Sequence, residues 1–177
     1  MLTFKCTKKV LEYLSIAPTE LAISTENKTT LFGAWYVNQL TINRRNVFLF
    51  MNEKTLLSFI SLGAKKSKTL KRDFPTTFLY HFFMLMKVMR LPIENTGQLV
   101  DDYSQSEFRK TESKSLLGNM NDLAHLYEHF ILVSGGFNNC DLTEIIVRVN
   151  QTPQRNLGGK TSMDIAHDIF AQSTKVM

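Results

Sequence analysis

Cysteine is almost missing from this chain. Cys6 and Cys140 are the only two, too few for a secreted disulfide scaffold or a four-cysteine zinc site. Long apolar runs are missing too. The longest, Phe78 to Met89, is interrupted by His81 and Lys87 and falls short of the roughly 20 residues that span a bilayer. The opening stretch Met1 to Cys6 carries no apolar segment of signal-peptide length. There is no internal repeat and no low-complexity tract. There is no G-x-S-x-G nucleophile string, and Gly158-Gly159-Lys160-Thr161 lacks the upstream glycine of a phosphate-cradling P-loop. Together these absences predict a soluble, cytoplasmic protein with no membrane partner.

What remains has ordinary globular proportions. The 177 residues are 44% hydrophobic and 21% charged, enough for one domain, 1–177, with its own core. Ser15 to Thr30 mixes Pro18 with serine, threonine and asparagine and reads as a flexible loop inside that domain. The period of the apolar residues gives the elements. Leu2, Phe4 and Cys6 alternate as a short strand, and Thr7 is placed to cap a following helix. Trp35 to Ile42, Val47 to Met51 and Thr55 to Leu62 are aromatic and β-branched, with turns at Asn43 to Asn46 and Asn52 to Lys54. They predict a three-stranded antiparallel meander.

Beyond that meander the period becomes helical. Asp73 and Pro75 mark a helix start, and the stripe Phe78, Phe82, Leu85, Met86 and Met89 continues it. Further helices are expected over Glu94 to Tyr103, Leu116 to Val133, Leu142 to Val149 and Met163 to Ala171, with a last strand over Glu107 to Thr111. The predicted fold is α+β: a small antiparallel sheet of three to five strands on five or six helices, mostly C-terminal. A turn followed by a helix closes it over 150–173.

Charge is unevenly spread. The net charge is +5, yet Arg44 to Arg90 carries +8 and Leu91 to Val147 carries −6. Concentrated positive charge attracts anionic partners. Arg44, Arg45, Lys65, Lys66, Lys68, Lys71 and Arg72 are therefore the candidate contacts to a nucleic acid or an acidic protein. The alternative for each is a solvated face. Trp35 and Cys6 are expected in the core, and Cys140, near a helix start, is the more reactive thiol.

Two further constellations could carry chemistry. His125-Leu126-Tyr127-Glu128-His129 fits H-x-x-E-H, and on a helix the two imidazoles lie about 40° apart. It resembles the zinc string of insulinase and pitrilysin peptidases. That resemblance implies a zinc ion on His125 and His129 with Glu128 as general base on a metal-bound water. A catalytic zinc also needs a third protein ligand. Only 48 residues follow His129, and Glu144 lies too near to fit that pattern. The working expectation is no cofactor and no metal, with the zinc hydrolase as the alternative. The second constellation, Lys114, Ser115, Gly118 and Asn119, enters the same helix and could hold an anion on free N–H groups. Capping by Ser113, Ser115 or Asn119 is the preferred account, because every helix needs a cap and few bind ligands.

Four strings taken in order resemble an uncharacterised bacterial family, a domain of unknown function. They are Leu2 to Lys9 (LTFKCTKK), Gly33 to Asn38 (GAWYVN), Asn52 to Leu57 (NEKTLL) and Leu117 to Asp122 (LGNMND). The resemblance implies a bacterial, single-domain protein and carries no activity or site residue with it. The segment Asn150 to Asp164 is similar to the closing segment of some insertion-sequence transposases. No acidic triad accompanies it, and a turn plus a capping box from Thr161 or Ser162 to Asp164 accounts for the same letters. The leading expectation is a non-catalytic binding or accessory protein with a basic surface. The alternatives are the metal-dependent hydrolase and a component of a mobile-element or defence system.

Overall fold

The computed structural model describes residues 1–23, 31–63, 65–91 and 105–174. The helix expected over Glu94 to Tyr103 lies outside them, as does the end of the Ser15 to Thr30 loop. The meander forms as the spacing requires. Strand β2 (Trp35–Ile42) pairs antiparallel with β3 (Arg45–Asn52), which pairs antiparallel with β4 (Ser58–Leu62). The β2–β3 turn is tighter than four residues. Ile42 pairs with Arg45, and the two loop residues Asn43 and Arg44 both take positive φ, 46° and 61°, the backbone of a two-residue hairpin whose twist matches its strands. β4 starts at Ser58 rather than Thr55 because the buried Asn52 side chain uses the residues between. Its Oδ1 accepts from Lys54 N at 3.1 Å and Thr55 N at 3.0 Å, while its Nδ2 donates to Phe32 O at 2.8 Å.

The rest of the sheet is parallel. β1 (Leu2–Cys6) lies between β2 and β5 (Ser106–Lys110), parallel to both, in the order β4-β3-β2-β1-β5. The sheet is therefore mixed. Its parallel half was not announced by any local pattern, since its partners stand about 30 and 100 residues apart.

Helices cover both faces. On one face α1 (Lys8–Tyr13), α2 (Leu70–Val88) and α5 (Ser162–Thr174) enclose Phe4, Trp35, Val37, Phe48, Phe50 and Phe59. On the other, α3 (Lys114–Val133) and α4 (Leu142–Asn150) cover Tyr36, Val47, Leu49, Met51 and Ile60. Burial on both sides explains why β3 reads as a continuous apolar run rather than an alternation. α2 begins at Leu70, more than a turn before the expected start, so Pro75 falls inside it. Pro75 forfeits one backbone bond to the Lys71 carbonyl, on a turn where Lys71 and Pro75 are both only partly buried. Ser113 caps α3 by accepting from Leu116 N at 3.2 Å. Asp141 caps α4, accepting from Thr143 N at 2.9 Å and Glu144 N at 3.2 Å. The Thr161–Asp164 capping box opens α5, with reciprocal bonds of 3.0 Å. No helix among the described residues is long and apolar enough to cross a membrane.

Candidate anion-binding surface

The strand order decides where the basic residues go. β1, β2 and β4 all end at the same side of the sheet, and the β2–β3 hairpin tip lies there too. Gly63 N donates to Asn46 O at 2.8 Å, which ties the chain leaving β4 to that tip. Arg44, Arg45, Lys65 and Lys66 are thereby gathered at one end of the molecule. Lys68, Lys71 and Arg72 follow at the start of α2, and Lys9 joins them from α1. The remaining cations of the +8 segment lie elsewhere. Lys54 is in the β3–β4 turn at the opposite end. Lys87 and Arg90 sit at the far end of α2, whose 19 residues put them about 28 Å away.

Two adjoining clefts are cut into this end. One, of about 580 Å³, is lined by Tyr13, Leu14, Ser15, Lys66, Lys68 and Lys71. The other, of about 270 Å³, is lined by Lys9, Glu12, Tyr13, Gln39, Thr41 and Lys66. Tyr13 and Lys66 are common to both. The Lys66 ammonium sits 5.2 Å from the Tyr13 ring centre, held by the ring's quadrupole. Tyr13 is braced from beneath by an edge contact with Phe48 at 5.5 Å.

Acidic groups take up part of the charge. Lys71 is paired with Glu20, whose carboxyl that ammonium holds below the usual range. Arg72 Nε meets Asp73 at 3.0 Å, and Asp73 is likewise held low, first by Thr69 and then by Arg72. Arg45 donates to Asn138 at 2.6 Å and lies over the Phe137 ring, which turns it toward the α3 side of the sheet. Arg44, Lys65, Lys66 and Lys68 are exposed and have no acidic partner among the described residues.

The other candidate residues are dispersed. His125 and His129 are both exposed on α3, with Glu128 half-buried between them. Among the described residues no group of three or more His, Cys, Asp or Glu side chains is placed to hold a metal. Lys114 and Ser115 stand exposed in the first turn of α3, Gly118 lies within the helix, and Asn119 is buried against Asn156. The N–H groups of Leu116 and Leu117 are bonded to Ser113.

A polar patch escaped the sequence reading. α3 and α4 leave the β1–β5 half of their face to charged side chains. Lys5 Nζ contacts Glu53 at 3.1 Å and Glu112 at 3.4 Å, and lies 5.6 Å from the Tyr36 ring. Arg109 reaches Glu107 at 2.6 Å, and Thr3 donates to the same carboxylate at 2.8 Å. The Glu53 carboxylate also accepts from Ala34 N at 2.9 Å. Lys5, Glu53, Glu107 and Arg109 are each no more than 22% exposed in their side chains. Burial opposes charge on Lys5, but hydrogen bonding and attraction from Glu53 win, and its pKa is raised. The signal was present in the alternation Leu2-Thr3-Phe4-Lys5-Cys6, whose polar members share this face. Three of the strings behind the family resemblance meet here, through Lys5, Tyr36 and Glu53.

A family model described as a domain of unknown function, DUF6933, matches residues 3–165. The chain belongs to this family. The match runs from β1 into the first turn of α5, so α1 to α4, the basic end and all of the sheet but Leu2 lie within the DUF6933 region. The chain matches none of the curated proteins with which it was compared.

Proposed function

We propose that this DUF6933 protein is a non-catalytic binding protein that takes single-stranded nucleic acid across its basic end. One observation carries the reading: lysines from α1, from the β4–α2 connection and from α2 line two adjoining clefts around a single tyrosine. Ammonium groups along a groove follow a phosphate backbone, and the tyrosine face, once Lys66 swings from it onto a phosphate, offers a stacking surface for a base. Arg44 and Arg45 extend the positive surface along the sheet end. The exposed lysines are costly to gather unless an anion neutralises them.

Salt dependence tests this directly. Anisotropy of a labelled single-stranded oligonucleotide should report binding at low salt that weakens steeply as salt rises. The triple substitution Lys65→Gln, Lys66→Gln, Lys68→Gln removes up to three phosphate contacts and should flatten the log–log slope by about 2, with the thermal midpoint unchanged. Absence of low-salt binding, or an unaltered slope in the variant, overturns the reading. Equal competition by poly-glutamate overturns it in favour of an acidic protein partner.

A further inference from the structure

We propose a second binding site, for a small neutral planar amide, at the free edge of β4 between α2 and α4. The ladder bonds fix which way that edge faces. Asn52 N donates to Leu57 O and Gly63 N to Asn46 O, both at 2.8 Å. Residues of odd number from 57 to 63 therefore bond β3, and Ser58, Ile60 and Leu62 turn their N–H and C=O outward.

At Ser58 the outward pair is satisfied by a carboxamide. Ser58 N donates to Asn150 Oδ1 at 2.8 Å, and Asn150 Nδ2 donates to Ser58 O at 2.7 Å. One side-chain amide stands where the next strand would. Ile60 presents the same pair two residues along. It is 1% exposed, and no group among the described residues bonds its N–H or C=O. A buried donor and acceptor left in this way cost stability, and a ligand supplying both partners recovers it.

The surroundings describe the rest of that ligand. Ile60 lies on the wall of a pocket of about 220 Å³, between Tyr80, His81 and Met84 of α2 and Leu142 and Ile146 of α4. That is smaller than the roughly 300–1,000 Å³ of drug-sized sites and suits a single ring. The walls hold no Lys, Arg, Asp or Glu, and burial lowers the His81 pKa, which favours the neutral imidazole. The chemistry selects a primary carboxamide or a lactam on an aromatic or aliphatic ring. It excludes carboxylates and ammonium compounds, which would enter unpaired.

Benzamide is the probe, with toluene, benzoate and N,N-dimethylbenzamide as comparisons, followed by amide-proton NMR of the full chain. The expected result is that benzamide shifts the Ile60 amide proton downfield in a saturable way. N,N-dimethylbenzamide, lacking the donor, should bind weaker by roughly tenfold, and Met84→Trp should block the shift. Met84 is exposed at the pocket rim, so that variant is expected to fold. Equal binding of toluene and benzamide would make this an apolar hole without amide recognition. That outcome, or saturation with no response at Ile60, overturns the proposal.

Discussion

The two faces of the sheet are built from different materials. Beneath α1, α2 and α5 the core is largely aromatic: Phe50 stacks on Phe59 at 4.9 Å, Trp35 meets Phe78 edge-on at 5.0 Å, and Phe4 meets Phe78 at 5.1 Å. Beneath α3 and α4 the core is aliphatic and threaded by hydrogen bonds. Tyr127 OH donates to Ser58 O at 3.0 Å alongside the Asn150 amide, and toward β1 and β5 the apolar packing gives way to the Lys5–Glu53 and Arg109–Glu107 pairs. A ring face derives its stability from area and edge-to-face geometry, which tolerate no loss of volume. A hydrogen-bonded face gains less per residue but fixes direction and register.

The largest effect should fall on the ring face. Phe78 is fully buried and touches Phe4, Trp35, Phe50, Phe59 and Phe82. Phe78→Ala should cost about 3–5 kcal/mol in urea unfolding. A loss under 1 kcal/mol would erase the contrast between the faces. Asn150→Ala comes next, because it strands the Ser58 N–H in the interior and leaves the Ser58 carbonyl with Tyr127 OH alone. A loss of about 2–3 kcal/mol is expected, together with faster exchange of the Ser58 amide, which a purely volumetric effect would not produce.

The smallest effect is on pH, and it lies at the seam. His81 packs on Phe59 at 6.2 Å, and burial lowers its pKa from the usual 6.5 or so. Below that value the unfolded chain takes up a proton that the folded chain declines. Stability should therefore fall as pH drops from about 6.5 toward the lower folded pKa, then level off. His81→Gln should remove that component of the slope. An identical pH profile in the variant would show that imidazole burial contributes nothing.

Much of this arrangement was legible in the residues, and the gaps have physical causes. The meander, the α3 and α4 spans and the Thr161–Asp164 box follow from periodicity and capping chemistry, which act within a few residues. The start of β4 moved because one side chain, Asn52, reorganises the turn before it, and the start of α2 moved because Pro75, read as a first-turn residue, lies inside the helix. The parallel seat of β1 depends on partners far away in the chain, so nothing local encoded it. The lysine run at 65–72 was visible as charge, but its cleft needed Tyr13 and Lys9 from another element. The Lys5 patch went unnoticed because its two sides come from the separate alternations at 2–6 and 106–110. His125 and His129 share one side of a helix as their spacing demands, yet that side faces away from the buried stripe of Met120, Leu123, Tyr127 and Ile131.

The seat of β1 has a consequence for how the molecule is made. Its five residues are made before either neighbour, so one flank stays bare until Trp35–Ile42 emerges and the other until Ser106–Lys110 does. Once Leu62 has been made, the β2–β3–β4 hairpins are complete while β1 still lacks its neighbour β5. Such distant closures are slow, and an uncovered edge beside Phe4 invites pairing with the wrong chain. The interval between making Ile42 and making Ser106 is therefore the window in which this edge is open to mispairing.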